Sequence, residues 1–189
     1  MRPGGVATIF PLLYPCRLAV GGKWKVLPES FNDRFQQRLS STLVELRKEA
    51  SIELSKGDAD AARRGEVSTS STAGLRSKVE IHLVKKLISA AVVLQTQLIS
   101  ELQIPFSDTL AGELKAQLKA CVSDEWCEDL HRMNIGGISE QYAARLKEEL
   151  YVNRSFFLKR AAAQIDLLVD SLRRMQTGHS GQVPPEEVA

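Results

Sequence analysis

The stretch ISEQYAARLKEELYVNRSFFLKRAAAQIDLLVDSLRRMQT, residues 138–177, holds neither proline nor glycine and sets an apolar side chain every three or four positions. That is the period of an amphipathic helix and not of a strand. Its seam can be counted: Tyr142, Leu146, Leu150, Asn153, Phe157, Ala161, Ile165, Leu168, Leu172 and Met175 span 33 residues in nine steps. The ratio, about 3.67 per step, matches an eleven-residue repeat and a nearly straight helix, whereas a left-handed coiled coil needs 3.5. At ~1.5 Å per residue this helix reaches about 60 Å, long for a compact domain of this size. It is therefore expected either to project and pair with another copy or to break. The weakest joint is at Tyr151, Val152 and Asn153, where aromatic, β-branched and polar residues replace good helix formers.

The same period continues upstream. Phe31, Phe35, Leu39, Leu43, Leu46, Ala50 and Leu54 share one face, with Ser30 and Asp33 spaced as a capping signal, so a first helix is expected from Glu29 to near Gly57. Residues 57–74, GDADAARRGEVSTSSTAG, are small and polar and read as a mobile connector. A second helix, about Leu75 to Ile104, is apolar on all sides over LISAAVVL and should form the centre, closed by Pro105. Ser107 or Asp108 is placed to cap a third helix with the face Leu110, Leu114, Leu118 and Val122. Ser123 caps a fourth, with Asp124 and Glu125 in its first turn, His131 and Arg132 in its last, and Asn134, Gly136 and Gly137 to stop it.

The expected fold is all-α: a four- to five-helix bundle (residues 29–177) with one very long C-terminal helix. A short N-terminal β-hairpin or extended arm (1–28) precedes it, and a disordered tail (178–189) follows. In the hairpin, a three-residue loop Gly21-Gly22-Lys23 pairs Val20 with Trp24 and Leu18 with Val26.

Composition bounds the function. With 189 residues, 43% hydrophobic and 25% charged, the chain has material for one core in one domain, which excludes disorder throughout. Net charge is +2, unevenly placed: residues 1–28 carry Arg2, Arg17, Lys23 and Lys25 and no acid. Three cysteines, Cys16, Cys121 and Cys127, do not form the framework of a small secreted domain. The apolar run Gly5 to Gly22 is interrupted by Pro11, Pro15 and Arg17 and falls short of the ~20 residues a bilayer requires. A cytoplasmic protein without a membrane partner is the expectation.

Three groupings bear on chemistry. Cys127 and His131 lie four apart on one helix face with Cys121 just upstream, an incomplete zinc set whose alternative reading is two buried thiols and a histidine at a helix C-terminus. Arg76 precedes His82 and Arg174 precedes His179, a pairing with four to six intervening residues. This arginine–histidine pairing resembles the signature of the HEPN superfamily, helical bundles many of which are metal-independent ribonucleases. The resemblance implies that Arg174 would stabilise developing phosphate charge and His179 would act as acid or base, with Gly178 interrupting the helix between them. Nucleic-acid binding is the third alternative, through the basic arm residues Arg17, Lys23, Trp24 and Lys25 or through residues 141–177, which sum to +3. Residues 108–140, with three basic and seven acidic side chains, repel phosphate.

No phosphate-cradling loop or nucleophile elbow is present. The function expected is a non-catalytic helical interaction or scaffold protein without a cofactor. Its partner is a protein, first of all a second copy, with contacts at Trp126, Tyr142, Asn153, Phe156 and Arg160. The −4 segment and the +4 arm suggest head-to-tail attraction between copies, sensitive to salt.

Overall fold

The helical period governs all of the chain that the computed structural model describes, residues 27–65, 69–134 and 138–179. These residues are all-α: α1 (Glu29–Arg63), α2 (Thr69–Glu101), α3 (Leu110–Cys121), α4 (Asp124–Asn134) and α5 (Glu140–His179). The expected hairpin or arm and the expected tail beyond His179 lie outside the described residues, as do Arg17, Lys23, Trp24 and Lys25.

α1 does not stop at Gly57. A Cβ there would lie 2.0 Å from Leu75 Cδ2, so the glycine serves the close approach of α1 to α2 and not a helix end. A glycine inside a helix costs about 1 kcal/mol relative to alanine, and here the packing of Leu75 beside Ala50, Leu54 and Val79 offsets it. α1 ends instead where Gly65 adopts φ +70° and its N–H donates to Ala62 O at 3.1 Å. The expected 57–74 connector is thus helical over 57–63 and from 69 onward, leaving a short junction.

Other boundaries move for equally local reasons. Pro28, at ψ 154°, is the N-cap of α1, and its carbonyl accepts from Phe31 N at 2.9 Å; Ser30 and Asp33 lie inside the first turns and do not cap it. α3 begins at Leu110 after Thr109, with no side-chain cap from Ser107 or Asp108. α2 closes at Glu101 through Gln103 in the left-handed region (φ 50°), where Gln103 N donates to Ser100 O and Ile104 N to Ile99 O. That double bond pattern satisfies the orphan carbonyls before Pro105 is reached. Ser123 does cap α4, its Oγ accepting from Trp126 N at 3.2 Å.

α2 is central, packing against each of the other four helices. Phe31, Phe35, Leu87, Leu98, Ile99, Leu114, Leu118, Leu150 and Ile165 are fully buried around it, each contributing on the order of 2 kcal/mol from the surface removed from water. By length and composition alone Thr72–Glu101 is apolar enough to cross a membrane, and half of that window is buried by its neighbours.

α5 is continuous over 40 residues and does not break at Asn153. Asn153 Nδ2 donates to Glu149 O at 2.9 Å, within the same helix; Tyr151 OH donates to Asp124 O at 3.2 Å, docking on α4; Val152 faces solvent. The buried seam of α5 runs through Leu146, Leu150, Ala161, Ile165 and Val169, and Met175 is exposed. With α1 and α2 at 35 and 33 residues, the bundle is itself elongated, so most of the expected excess length of α5 is covered.

Candidate functional site

α4 is tied to the bundle by residues that sequence spacing offered as metal ligands, in another arrangement. Cys121 Sγ donates to Gln117 O at 3.2 Å and Cys127 Sγ lies 4.0 Å from Val122 O, both thiols turned back on local carbonyls. Burial pushes the Cys127 thiol up to about 11, against a weaker opposing effect of Arg154. Such a thiol stays protonated and unreactive. His131 turns the other way, its Nδ1 3.4 Å from Glu80 Oε2 on α2. Among the described residues no group of three or more His, Cys, Asp or Glu side chains is arranged to hold a metal ion, and Cys121, Cys127 and His131 each meet a separate partner. Burial lowers the His131 pKa; a hydrogen bond to the backbone of Ala143 acts the other way, and Lys147 adds to the lowering.

The arginine–histidine pairs are not gathered into one site. At ~100° per residue, five positions separate Arg174 and His179 by about 140° around α5, and six separate Arg76 and His82 by about 120°. α2 and α5 run side by side in the same direction, since Lys85 lines a groove with Phe157 while Arg173 stacks on Phe106 at 4.7 Å. The two pairs therefore occupy opposite ends. Contrary to expectation, α5 runs through Gly178 to His179; Arg174 is exposed, and the His179 side chain lies outside the described ones.

Of the expected contact residues, the fold brings two together and separates the rest. Arg160 stands over the Phe156 ring at 5.9 Å. Trp126 and Tyr142 are half-buried elsewhere, and Asn153 is bonded to its own helix. Phe156 belongs to an open concavity of about 450 Å³ lined by Glu148, Tyr151, Val152, Ser155 and Lys159. A smaller groove of about 120 Å³ runs between α2 and α5, lined by Lys85, Ser89, Arg160 and Gln164 over Ile88, Phe157 and Ala161. Val152, expected only as part of a weak joint, forms with Phe156, Ala163 and Leu167 a second apolar stripe. Its spacing of four, seven and four residues was visible along the chain, behind the stronger buried seam.

The acidic α3–α4 segment is matched to α5 within the chain. Asp108 pairs with Arg173 at 3.2 Å, Lys115 with Asp166 at 2.5 Å, Glu128 with Lys147 at 2.9 Å, and Asp124 with Arg154. Comparison of the chain with protein-family models, curated proteins and solved structures gives no match.

Proposed function

We propose that this protein is a non-catalytic interaction module that associates with a second copy through the outer face of α5. The observation that supports it is the exposed stripe: Val152, Phe156 and Leu167 are 62%, 54% and 70% exposed, with exposed Ala163 between them. Exposed apolar side chains grouped along one helix face mark a contact site more often than a single exposed residue does.

The spacing favours a second copy over an unrelated partner. The stripe is symmetric about the midpoint between Lys159 and Arg160, so an antiparallel pair opposes Val152 to Leu167 and Phe156 to Ala163. Each large residue then meets a smaller or complementary one, the self-complementarity a two-fold interface requires. Lys159 and Arg160 of both copies would meet near the axis. Their repulsion is screened by salt, so association should strengthen with ionic strength. This reverses the sign expected of head-to-tail attraction, because three acids of the 108–140 segment, Asp108, Asp124 and Glu128, are already engaged within the chain. Neither the ribonuclease nor the nucleic-acid reading gains an observation of its own.

Sedimentation velocity on the full chain and on a Phe156→Glu, Leu167→Glu variant is the test, over a series of protein and salt concentrations. The wild type should dimerise and the variant stay monomeric with unchanged helicity. A wild type that is monomeric under every condition overturns the proposal.

A further inference from the structure

The groove between α2 and α5 has a composition that the apolar stripe does not explain. Its walls are four polar side chains from two helices, Lys85 and Ser89 on α2 and Arg160 and Gln164 on α5, and its floor is apolar, with Ile88 and Ala161 buried. The helical stretches that carry it are free of acid: residues 81–100 contain no Asp or Glu, and neither do residues 150–165. In a chain that is a quarter charged with nearly balanced signs, this leaves a local field of one sign.

The lysines and arginines of these stretches divide by place, Lys159 lining the other concavity. Lys86 is paired with Glu49 at 2.7 Å, and Arg154 with Asp124. Lys85 and Arg160, the two that line the groove, enter no ion pair among the described residues, and Ser89 and Gln164 enter no side-chain hydrogen bond there. The Arg160 guanidinium lies over the Phe156 ring, 5.9 Å from its centre. The walls of the groove thus carry an ammonium, a guanidinium, a hydroxyl and an amide, all able to donate, beside an apolar floor.

We infer that this groove binds one phosphoryl group. Two cations match the charge of about −1.5 to −2 that a phosphate monoester carries at neutral pH, where a carboxylate would satisfy only one. The guanidinium fork suits two phosphate oxygens and the ammonium a third, while Ser89 Oγ and the Gln164 amide remain for the ester side. Size sets the upper limit, since about 120 Å³ is well below the roughly 300 Å³ at which small-molecule pockets begin. A single phosphoryl group enters; a base and sugar do not. A polyanionic strand is also disfavoured, because Glu148, Glu149, Asp166 and Asp170 bound the acid-free stretch of α5 on both sides and would meet its neighbouring phosphates. This inference does not depend on self-association of α5.

The experiment titrates inorganic phosphate, O-phosphoserine and acetate into the full chain at a constant ionic strength of about 150 mM, high enough to suppress diffuse counter-ion effects. It follows the backbone amide signals of Ser89, Ala161 and Gln164. The inference expects saturable shifts with phosphate, at least tenfold weaker affinity in both Lys85→Gln and Arg160→Gln, and no change in Lys48→Gln on the exposed side of α1. Equal affinity for phosphate and phosphoserine identifies the free anion as sufficient; a tenfold gain for phosphoserine identifies a phosphorylated side chain as the source. Non-saturating shifts, unchanged affinity in both groove variants, or acetate binding as tightly as phosphate overturns it. Because the substituted side chains are exposed, the variants fold, and preserved amide spectra verify this.

Discussion

Gln95 and Glu80 are both enclosed on α2, at 0% and 1% exposure, and each ties that helix to others. Gln95 Nε2 donates to Leu114 O at 3.0 Å and to Gln117 Oε1 at 2.9 Å, and Gln117 Nε2 donates onward to Asn32 Oδ1 at 2.9 Å. Three helices, α1, α2 and α3, are held by neutral amides. Glu80 instead meets His131, 9% exposed, and so ties α2 to the 11-residue α4 through an imidazole whose pKa burial lowers. Both junctions fix the register of packed helices, which apolar contacts alone leave loosely specified. Only the second can respond to pH.

The largest effect should come from the titratable junction. His131→Ala removes the imidazole that Glu80 meets and leaves a cavity between α2 and α4, together about 3 kcal/mol. Urea denaturation at pH 7 reads the loss directly, and the loss should shrink in acid, where the wild type gives up the stability tied to the lowered His131 pKa. A loss within error of zero at pH 7 would make the pair a bystander. Next is Gln117→Ala, which strips two hydrogen bonds from the amide network and opens a small cavity, for about 2 kcal/mol. Its effect should be the same at pH 5 and pH 8. A pH-dependent penalty there would erase the distinction between the junctions.

How far these features could be read from the chain depends on what each residue answers to. Helix identity and the central place of α2 were legible, because they follow from apolar period, which a sequence displays. Helix ends were less so. Gly57 looked like a terminator until Leu75 was seen to occupy the space beside it, and Asn153 looked like a joint although its amide is satisfied within its own helix. Both errors assign to local propensity what packing decides. Glu80 and Gln95 stayed silent because a buried polar residue is recognised by a partner 51 or 22 positions away. The same holds for Lys85 and Arg160, which share a groove only once α2 lies along α5.

A third experiment follows the response to acid. Burial lowers the folded-state pKa of His131 from 6.5, so the unfolded chain binds that proton more readily than the folded one. Stability is then fully present above about pH 6.5 and is lost as pH falls through the lower folded value. The carboxylates Glu49, Glu101 and Glu128 are lowered from 4.5 by hydrogen bonds to Lys86, Arg38 and Lys147, and their contribution is lost only below that value. The two windows are separate, and His131→Gln should flatten the upper one alone. Trp126 fluorescence in a Trp24→Phe background reports α4 specifically; if the upper step persists in His131→Gln, another group carries it.

The smallest effect tests whether α4 responds through the pair or through its thiol. Cys127 is fully buried one helical turn from His131, and shortening it to alanine removes a single sulfur from the core, about 1 kcal/mol. With the thiol raised to about 11 by burial, it is protonated throughout the range in which His131 titrates. Cys127→Ala should therefore lower stability by the same amount at pH 5 and pH 8 and leave the acid step of Trp126 where it was. If the step moves with the substitution, the titration of α4 is shared between the two side chains, and the contrast with the amide junction must be drawn around Cys127 as well as Glu80 and His131.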